Sequence, residues 1–338
     1  MSTKPKNDYE DQSIDLTLRP STWQEYIGQE KTKEGLKILI GAAQKRKETI
    51  DHILLYGPAG LGKTTLASLI AKEMGSNLRV TSGPAIEKAG DLASILSNLE
   101  PHDILFIDEA HRINRSIEEV LYPAMESRKL HLIIGKGPAA RNFELDLPPF
   151  TLVAATTRVA LLSNPLRSRF GVTLRLDFYT EENIRHILAR SAKLLGVTIH
   201  DEALAILARA SRATPRIANR LLKRARDMGE VRNESIINPL IAKETLAMLD
   251  IDEYGIEPQE KRLLETLIKK FHGGPTGLKA LAAASNEEID TIEEVYEPYL
   301  IRLGLLERTA KGRTATLLAY RYIKNEVQNL YPFENKTS

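Results

Sequence analysis

The stretch Gly57-Pro-Ala-Gly-Leu-Gly-Lys-Thr64 constrains this chain more than any other. It follows the apolar run Ile53-Leu-Leu-Tyr56 and precedes the small, helix-compatible run 66–72. G-x-x-x-x-G-K-T set between a strand and a helix predicts a phosphate cradle. Gly57, Gly60 and Gly62 let the backbone turn sharply, so that successive N–H groups and a helix N-terminus converge on one anion. Lys63 is then placed to reach the β- and γ-phosphates of a nucleotide, and Thr64, followed by Thr65, to present a hydroxyl to Mg²⁺.

A second buried strand is read in Asp103-Ile-Leu-Phe-Ile-Asp-Glu109, because a parallel strand covered on both faces is continuously apolar and ligands gather beyond its carboxyl end. Asp108 is therefore positioned to hold the water shell of the metal, and Glu109 to orient or deprotonate an attacking water. Read blandly, the pair is a solvated acidic turn. The run 150–157 predicts another buried strand, ending in Thr156 and Thr157, either of which could touch the attacking water or simply cap the strand. Arg167 and Arg169 follow on a short helix in 163–170, before a strand at 172–176. They are either surface charges or candidates for an arginine finger on a transferred phosphate.

Around these elements, 1–17 is polar and predicts a disordered tail, 18–29 leads into a helix at 31–47, and a further strand is expected at 78–81. Two short runs, 130–134 and 142–147, flank a Gly/Pro turn and predict a β-hairpin, either an edge elaboration or a docking arm. The strand and helix alternation stops at 177–181, and a helices-only unit follows. There Thr180 and Asp201 suit N-caps, and Thr214 with Pro215 at the first helical position puts Arg216 in the first turn. From Arg209 to Arg226 the chain carries seven basic residues and no acidic one.

Beyond a polar linker at 250–255, helices are predicted at 258–271 and 276–284. Ser285-Asn-Glu-Glu288 reads as a capping box for a third helix that Pro298 bends, and β-like runs at 305–309 and 314–318 complete the order of a winged helix. The third helix is acidic, whereas Arg302, Arg308, Lys311, Arg313, Arg321 and Lys324 cluster at the wing with Glu307 alone among them. That distribution favours sequence-independent phosphate contact by the wing over base readout.

Composition excludes several classes. With no cysteine there are no disulfides, thiolate metal sites or thiol nucleophiles, which suits a cytoplasmic protein, and the seven histidines are dispersed. No apolar run is long enough for a membrane span, and a formal net charge of +2 restricts any polyanion-binding surface to a local patch.

Taken together, these features resemble the AAA+ ATPases and, among them, the RuvB family of branch-migration motors. The resemblance runs from about 18 to 331. It rests on Leu18-Arg-Pro20, Glu25-Tyr-Ile-Gly-Gln29, the cradle, Glu87-Lys-Ala-Gly-Asp-Leu92, Ile107-Asp-Glu-Ala-His-Arg112, Leu121-Tyr-Pro-Ala-Met-Glu126, Gly135-Lys-Gly-Pro-Ala-Ala-Arg141 and Thr214-Pro-Arg-Ile-Ala-Asn-Arg220. It implies an α/β P-loop AAA+ domain at 18–179, an all-helical lid at 180–250 and a winged-helix head at 251–338.

Residue by residue, the resemblance makes Lys63 and Thr64 the phosphate and Mg²⁺ residues, Asp108 and Glu109 the Walker B pair, and Thr157 the first sensor, with Thr156 its rival. Arg216 becomes the second sensor. Arg169 matches the finger acting on a neighbour's nucleotide, with Arg167 the weaker candidate. Leu18, Arg19, Ile27 and Tyr179 match the adenine-side pocket, and Arg308 and Arg313 the DNA-contacting wing.

The implied partners are double-stranded DNA at Holliday junctions, RuvA docking on the 130–147 hairpin, RuvC indirectly, and further copies of the chain in a hexameric ring. The implied activity is ATP-driven DNA translocation. Clamp loaders and protein-remodelling motors would share every nucleotide residue, but the basic wing and the lack of a substrate-threading aromatic loop point away from remodelling. A winged-helix regulator holding ATP only as a ligand is disfavoured by the acidic third helix and the intact Glu109. Departures from the family pattern are small: Gly-Pro-Ala-Gly at 57–60, Ala110 after the Walker B pair and Ala154 in place of a glycine. None removes a catalytic group.

Overall fold

Five parallel strands in the order β2-β3-β6-β1-β7 carry the N-terminal half of the chain. The computed structural model describes residues 17–134 and 141–324; of the tail expected at 1–17 all but Thr17, which is helical, lies outside the described residues, as do the tip of the predicted hairpin and everything after 324. The chain divides into two units between Tyr179 and Thr180.

The first unit runs α1 (Glu30–Arg46), β1 (Ile53–Tyr56), α2 (Lys63–Met74), β2 (Leu78–Ser82), α3 (Ala89–Ser97), β3 (Ile104–Asp108), α4 (Arg115–Glu126), β4 (Lys129–Ile134), β5 (Arg141–Asp146), β6 (Thr151–Thr156), α5 (Asn164–Arg167) and β7 (Val172–Arg175). β6 is buried along its whole length and β3 up to Asp108, which is why both read as unbroken apolar runs. β4 and β5 form the expected antiparallel hairpin, pairing Lys129 with Asp146 through Ile134 with Arg141. Leu130 and Leu147 root it in the core, whereas Phe143 and Leu145 are exposed.

The second unit begins with α6 (Glu181–Leu194), α7 (Asp201–Ala210), α8 (Pro215–Val231) and α9 (Pro239–Met248). Its helices are joined by a two-residue parallel pair absent from the sequence reading, β8 (Thr198–Ile199) with β9 (Ile236–Ile237). The Thr180 hydroxyl accepts the Asn183 N–H as a cap should. Asp201, by contrast, is the first helical residue, with His200 at the cap. An acid there still favours the helix, since negative charge is stabilised among the unpaired N–H groups of a first turn. Thr214 and Pro215 open α8 as expected, although the Thr214 hydroxyl donates to Ser211 O rather than accepting a cap bond.

The same unit continues through α10 (Pro258–Phe271), α11 (Leu278–Ser285) and α12, which comprises Ile289–Thr291, a π-helical segment Ile292–Tyr296 and Glu297–Arg302. It closes with β10 (Leu306–Thr309), β11 (Gly312–Ala315) and α13 (Leu317–Ile323). The capping box does not form: the Ser285 hydroxyl bonds back to Leu281 O at 2.8 Å, and α12 starts later, with Glu288 at its cap. Nor is 314–318 a strand throughout. The Thr316 hydroxyl accepts the Ala319 N–H and begins α13 instead. Pro298 explains the π segment: without an N–H it leaves the Glu294 carbonyl without its helical donor, and the wider turn before it absorbs the mismatch.

Helices α8 and α10 are tied by a buried ion pair. Arg212, just before α8, donates both terminal nitrogens to Glu260, at 2.9 and 2.6 Å, and one of them also to Val295 O. Its guanidinium lies over the Tyr299 ring, 4.6 Å from the ring centre.

Candidate nucleotide site

The cradle joins β1 to α2. Gly57, Gly60 and Gly62 all have φ in the left-handed half, at 145°, 79° and 95°. Space matters as well as freedom: a methyl group on Gly57 would lie 2.4 Å from Leu176 O. Gly62 caps α2 without a side-chain hydrogen bond, so the first N–H groups of that helix are left for an anion. The Lys63 ammonium is folded over the loop, donating to Gly57 O at 2.8 Å and Pro58 O at 2.9 Å. This cradle fits a nucleoside triphosphate. Thr64 beside it and the half-buried Asp108 at the end of β3 supply the hard oxygens that Mg²⁺ prefers.

The lead-in 18–29 turns out to brace this loop. Tyr26 and Tyr179, both buried, donate their hydroxyls to Leu61 O at 3.4 and 3.3 Å, and burial pushes both phenols up so that they stay protonated. Gln29 clasps the backbone of Asp177, donating to its carbonyl at 2.6 Å and accepting from its N–H at 3.2 Å. Leu18 is buried, Ile27 half-buried and Arg19 exposed. Tyr26 and Gln29 were not singled out from the sequence, yet both stand in the stretch Glu25-Tyr-Ile-Gly-Gln29 quoted for the resemblance.

The strand order sets β3, β6 and β1 side by side, so that Asp108, Thr156 and the cradle issue from adjacent carboxyl ends. Glu109 follows Asp108 in the left-handed conformation, φ 48° and ψ 42°, with its N–H on Asp108 Oδ1 at 2.9 Å. The two threonines separate clearly. Thr156 is buried, its hydroxyl 3.0 Å from His111 Nδ1 and accepting the Arg158 N–H at 3.0 Å. Thr157 is exposed, one residue past the strand.

Arg169 is held within the chain by Glu126, at 3.0 Å, by Pro165 O at 2.6 Å, and by the Tyr122 ring 4.3 Å away. Arg167 bonds Asn164 one turn back. In the second unit Arg216 is exposed in the first turn of α8. At the wing the sequence reading needs correcting. Arg308 and Arg313 face each other across the β10–β11 ladder, and both pair with Glu297 of the acidic helix, which is fully buried between them. Glu293 lies 3.6 Å from each. The acidic helix and the basic wing, read as separate surfaces, thus neutralise part of each other. Arg308 stays exposed while the Arg313 side chain keeps only 13 % of its surface.

The fold and this site define a P-loop ATPase of the AAA+ class, with a lid and a winged-helix domain. Three family profiles match in succession: the Holliday junction DNA helicase RuvB P-loop domain over 18–176, the RuvB AAA lid domain over 179–252 and the RuvB C-terminal winged helix domain over 253–324. The chain is 55% identical over 320 residues to the Holliday junction branch migration complex subunit RuvB of Dehalococcoides mccartyi (strain CBDB1), covering 95% of this chain and 92% of that one. Among solved structures it resembles the Thermotoga maritima RuvB Holliday junction branch migration motor, with a TM-score of 0.84 at 49% identity over 92% of this chain and 99% of that one. A proline-to-glycine mutant of the same Thermotoga protein gives a TM-score of 0.85 at 48% identity over 91% and 99%. The chain belongs to the RuvB family.

Proposed function

We propose that this chain is the ATP-driven DNA translocase of Holliday junction branch migration, working in the cytoplasm as a hexameric ring with RuvA and, through it, with RuvC. The observation that carries the reading is that a complete cradle and Walker B pair share one chain with a winged head, in the order that relatives named for this activity have. We divide the chain into an ATPase domain at 18–179, a lid at 180–250 and a head at 251–338.

Lys63 and the N-terminus of α2 hold the β- and γ-phosphates, with Leu18, Arg19, Ile27 and Tyr179 on the adenine side. Thr64 and Asp108 would hold Mg²⁺, and the ion would neutralise charge on the phosphates. Glu109 takes the proton of a water whose oxygen attacks the γ-phosphorus, and the bond to the β–γ bridging oxygen breaks to leave ADP and phosphate. Thr157 orients that water, and Arg216 reads the nucleotide from the lid. Arg169 serves a neighbour's nucleotide. Its hold on Glu126 and Tyr122 ties it to its own subunit's framework, as a group offered across an interface needs to be. The exposed Phe143 and Leu145 of the hairpin make a docking arm for RuvA. Arg308 and Arg313 at the wing meet DNA phosphates.

The test is steady-state ATP hydrolysis by the chain alone, with linear duplex, and with a synthetic four-way junction plus RuvA, scoring junction dissociation in the same tubes. Hydrolysis stimulated by DNA, with dissociation only when RuvA is present, is the expected result. Turnover indifferent to DNA sinks the reading.

A further inference from the structure

Glu109 holds a left-handed backbone conformation that an L-residue disfavours, so its surroundings must impose it. Two of the constraints are hydrogen bonds: its N–H to Asp108 Oδ1 at 2.9 Å, and its carbonyl to the Arg112 N–H at 2.9 Å. The third is a contact with a different strand. β2 pairs with β3 in a register that sets Ser82 against Asp108, and the next residue, Gly83, is buried directly against the Glu109 peptide. A methyl group on Gly83 would stand 2.4 Å from Glu109 O, 3.2 Å from Glu109 C and 3.3 Å from Ile113 N. All three atoms are backbone, so no side chain can swing aside to admit it. Gly83 itself has no left-handed φ, and its own backbone would accept alanine. The requirement for glycine lies in what it touches.

We propose that Gly83 is a positioning residue for Glu109: its missing side chain lets the Glu109 peptide settle against the end of β2, and that seat sets where the carboxylate stands. This rests on Glu109 being the base for the attacking water. A methyl group forces the peptide back by most of an ångström, the Cα and carboxylate move with it, and misplacement on that scale costs on the order of 100-fold in rate. The cradle follows a different strand, so nucleotide affinity is spared.

The experiment measures Gly83→Ala, Glu109→Gln and the double variant in the full chain, by ATP turnover and by equilibrium binding of a fluorescent ATP analogue. Gly83→Ala is expected to lower kcat by about 10- to 100-fold, with KM and analogue affinity within twofold of wild type. In the Glu109→Gln background the same alanine should change single-turnover hydrolysis by less than twofold, because the group it displaces has already lost its function. An equal loss in both backgrounds overturns the proposal, as does an unchanged kcat, a parallel rise in KM, or a variant that fails to fold, since the predicted movement is confined to one peptide. Glu109→Gln hydrolysing at the wild-type rate would instead remove the base assignment, whatever Gly83→Ala does.

Discussion

Arg313 donates its Nε to Glu297 Oε1 at 2.6 Å, and Glu297 is fully buried beneath the wing. Removing the arginine leaves a buried carboxylate with Arg308 as its remaining close partner, and breaking such a pair costs about 3–5 kcal/mol. Arg313→Ala should therefore lower the denaturation midpoint, whereas Arg308→Ala, at a half-exposed side chain, should weaken duplex binding and its salt dependence with less loss of stability. Denaturant titrations beside duplex binding at two salt concentrations separate them. Equal stability losses would mean that the two arginines are not divided in this way.

Glu260 gives the second unit a pH dependence. Burial pushes its carboxyl from the ordinary 4.5 up to about 7, against the pull of Arg212. A carboxyl raised on folding binds its proton more tightly in the native state. Its contribution is thus full below about pH 4.5 and lost as pH rises through 7. Relative to Glu260→Gln, wild type should lose on the order of 2–3 kcal/mol across that interval. Parallel stability curves for the two proteins would show that Glu260 does not titrate there.

The cradle predicts ligand-linked stability. With ATP and Mg²⁺ at about 100 times the dissociation constant, binding stabilises the folded state by about 2.7 kcal/mol. Differential scanning fluorimetry should show a rise of a few degrees in wild type and none in Lys63→Ala. A full shift in the variant would take Lys63 out of the phosphate contact.

Thr156 and Thr157 should fail in different ways. Thr156→Val strips a buried partner from His111 and from the Arg158 N–H and should cost about 1–2 kcal/mol of stability. Thr157→Val, at an exposed position, should leave the melting temperature in place and lower kcat. The opposite pattern would return the sensor role to Thr156.

How much of this was legible in the sequence follows from the range of the interactions. The cradle, β1, β3 and β6 were readable because their signals are local: glycines at a turn, and four consecutive apolar residues in each strand. Helix α10 was read residue for residue, Pro258 to Phe271, because proline and an apolar period mark it. What failed depended on a choice between partners. Ser285 had the spacing of a cap but bonds backwards into its own helix, and the acids of α12 looked solvent-facing although Glu297 is the one the wing closes over. Nothing in a one-dimensional string pairs Arg212 with Glu260, 48 positions apart, or Tyr26 with Leu61, 35 apart.

The hairpin β4–β5 leaves the chain between β3 and β6, two strands that lie side by side whatever intervenes. The hydrogen-bond ladder between them holds Asp108 and Thr156 in step, and among the described residues the hairpin gives Leu130 and Leu147 to the core beneath. The hairpin is therefore a separable module: its length and the exposed Phe143 and Leu145 can drift while the strands it hangs from keep their register.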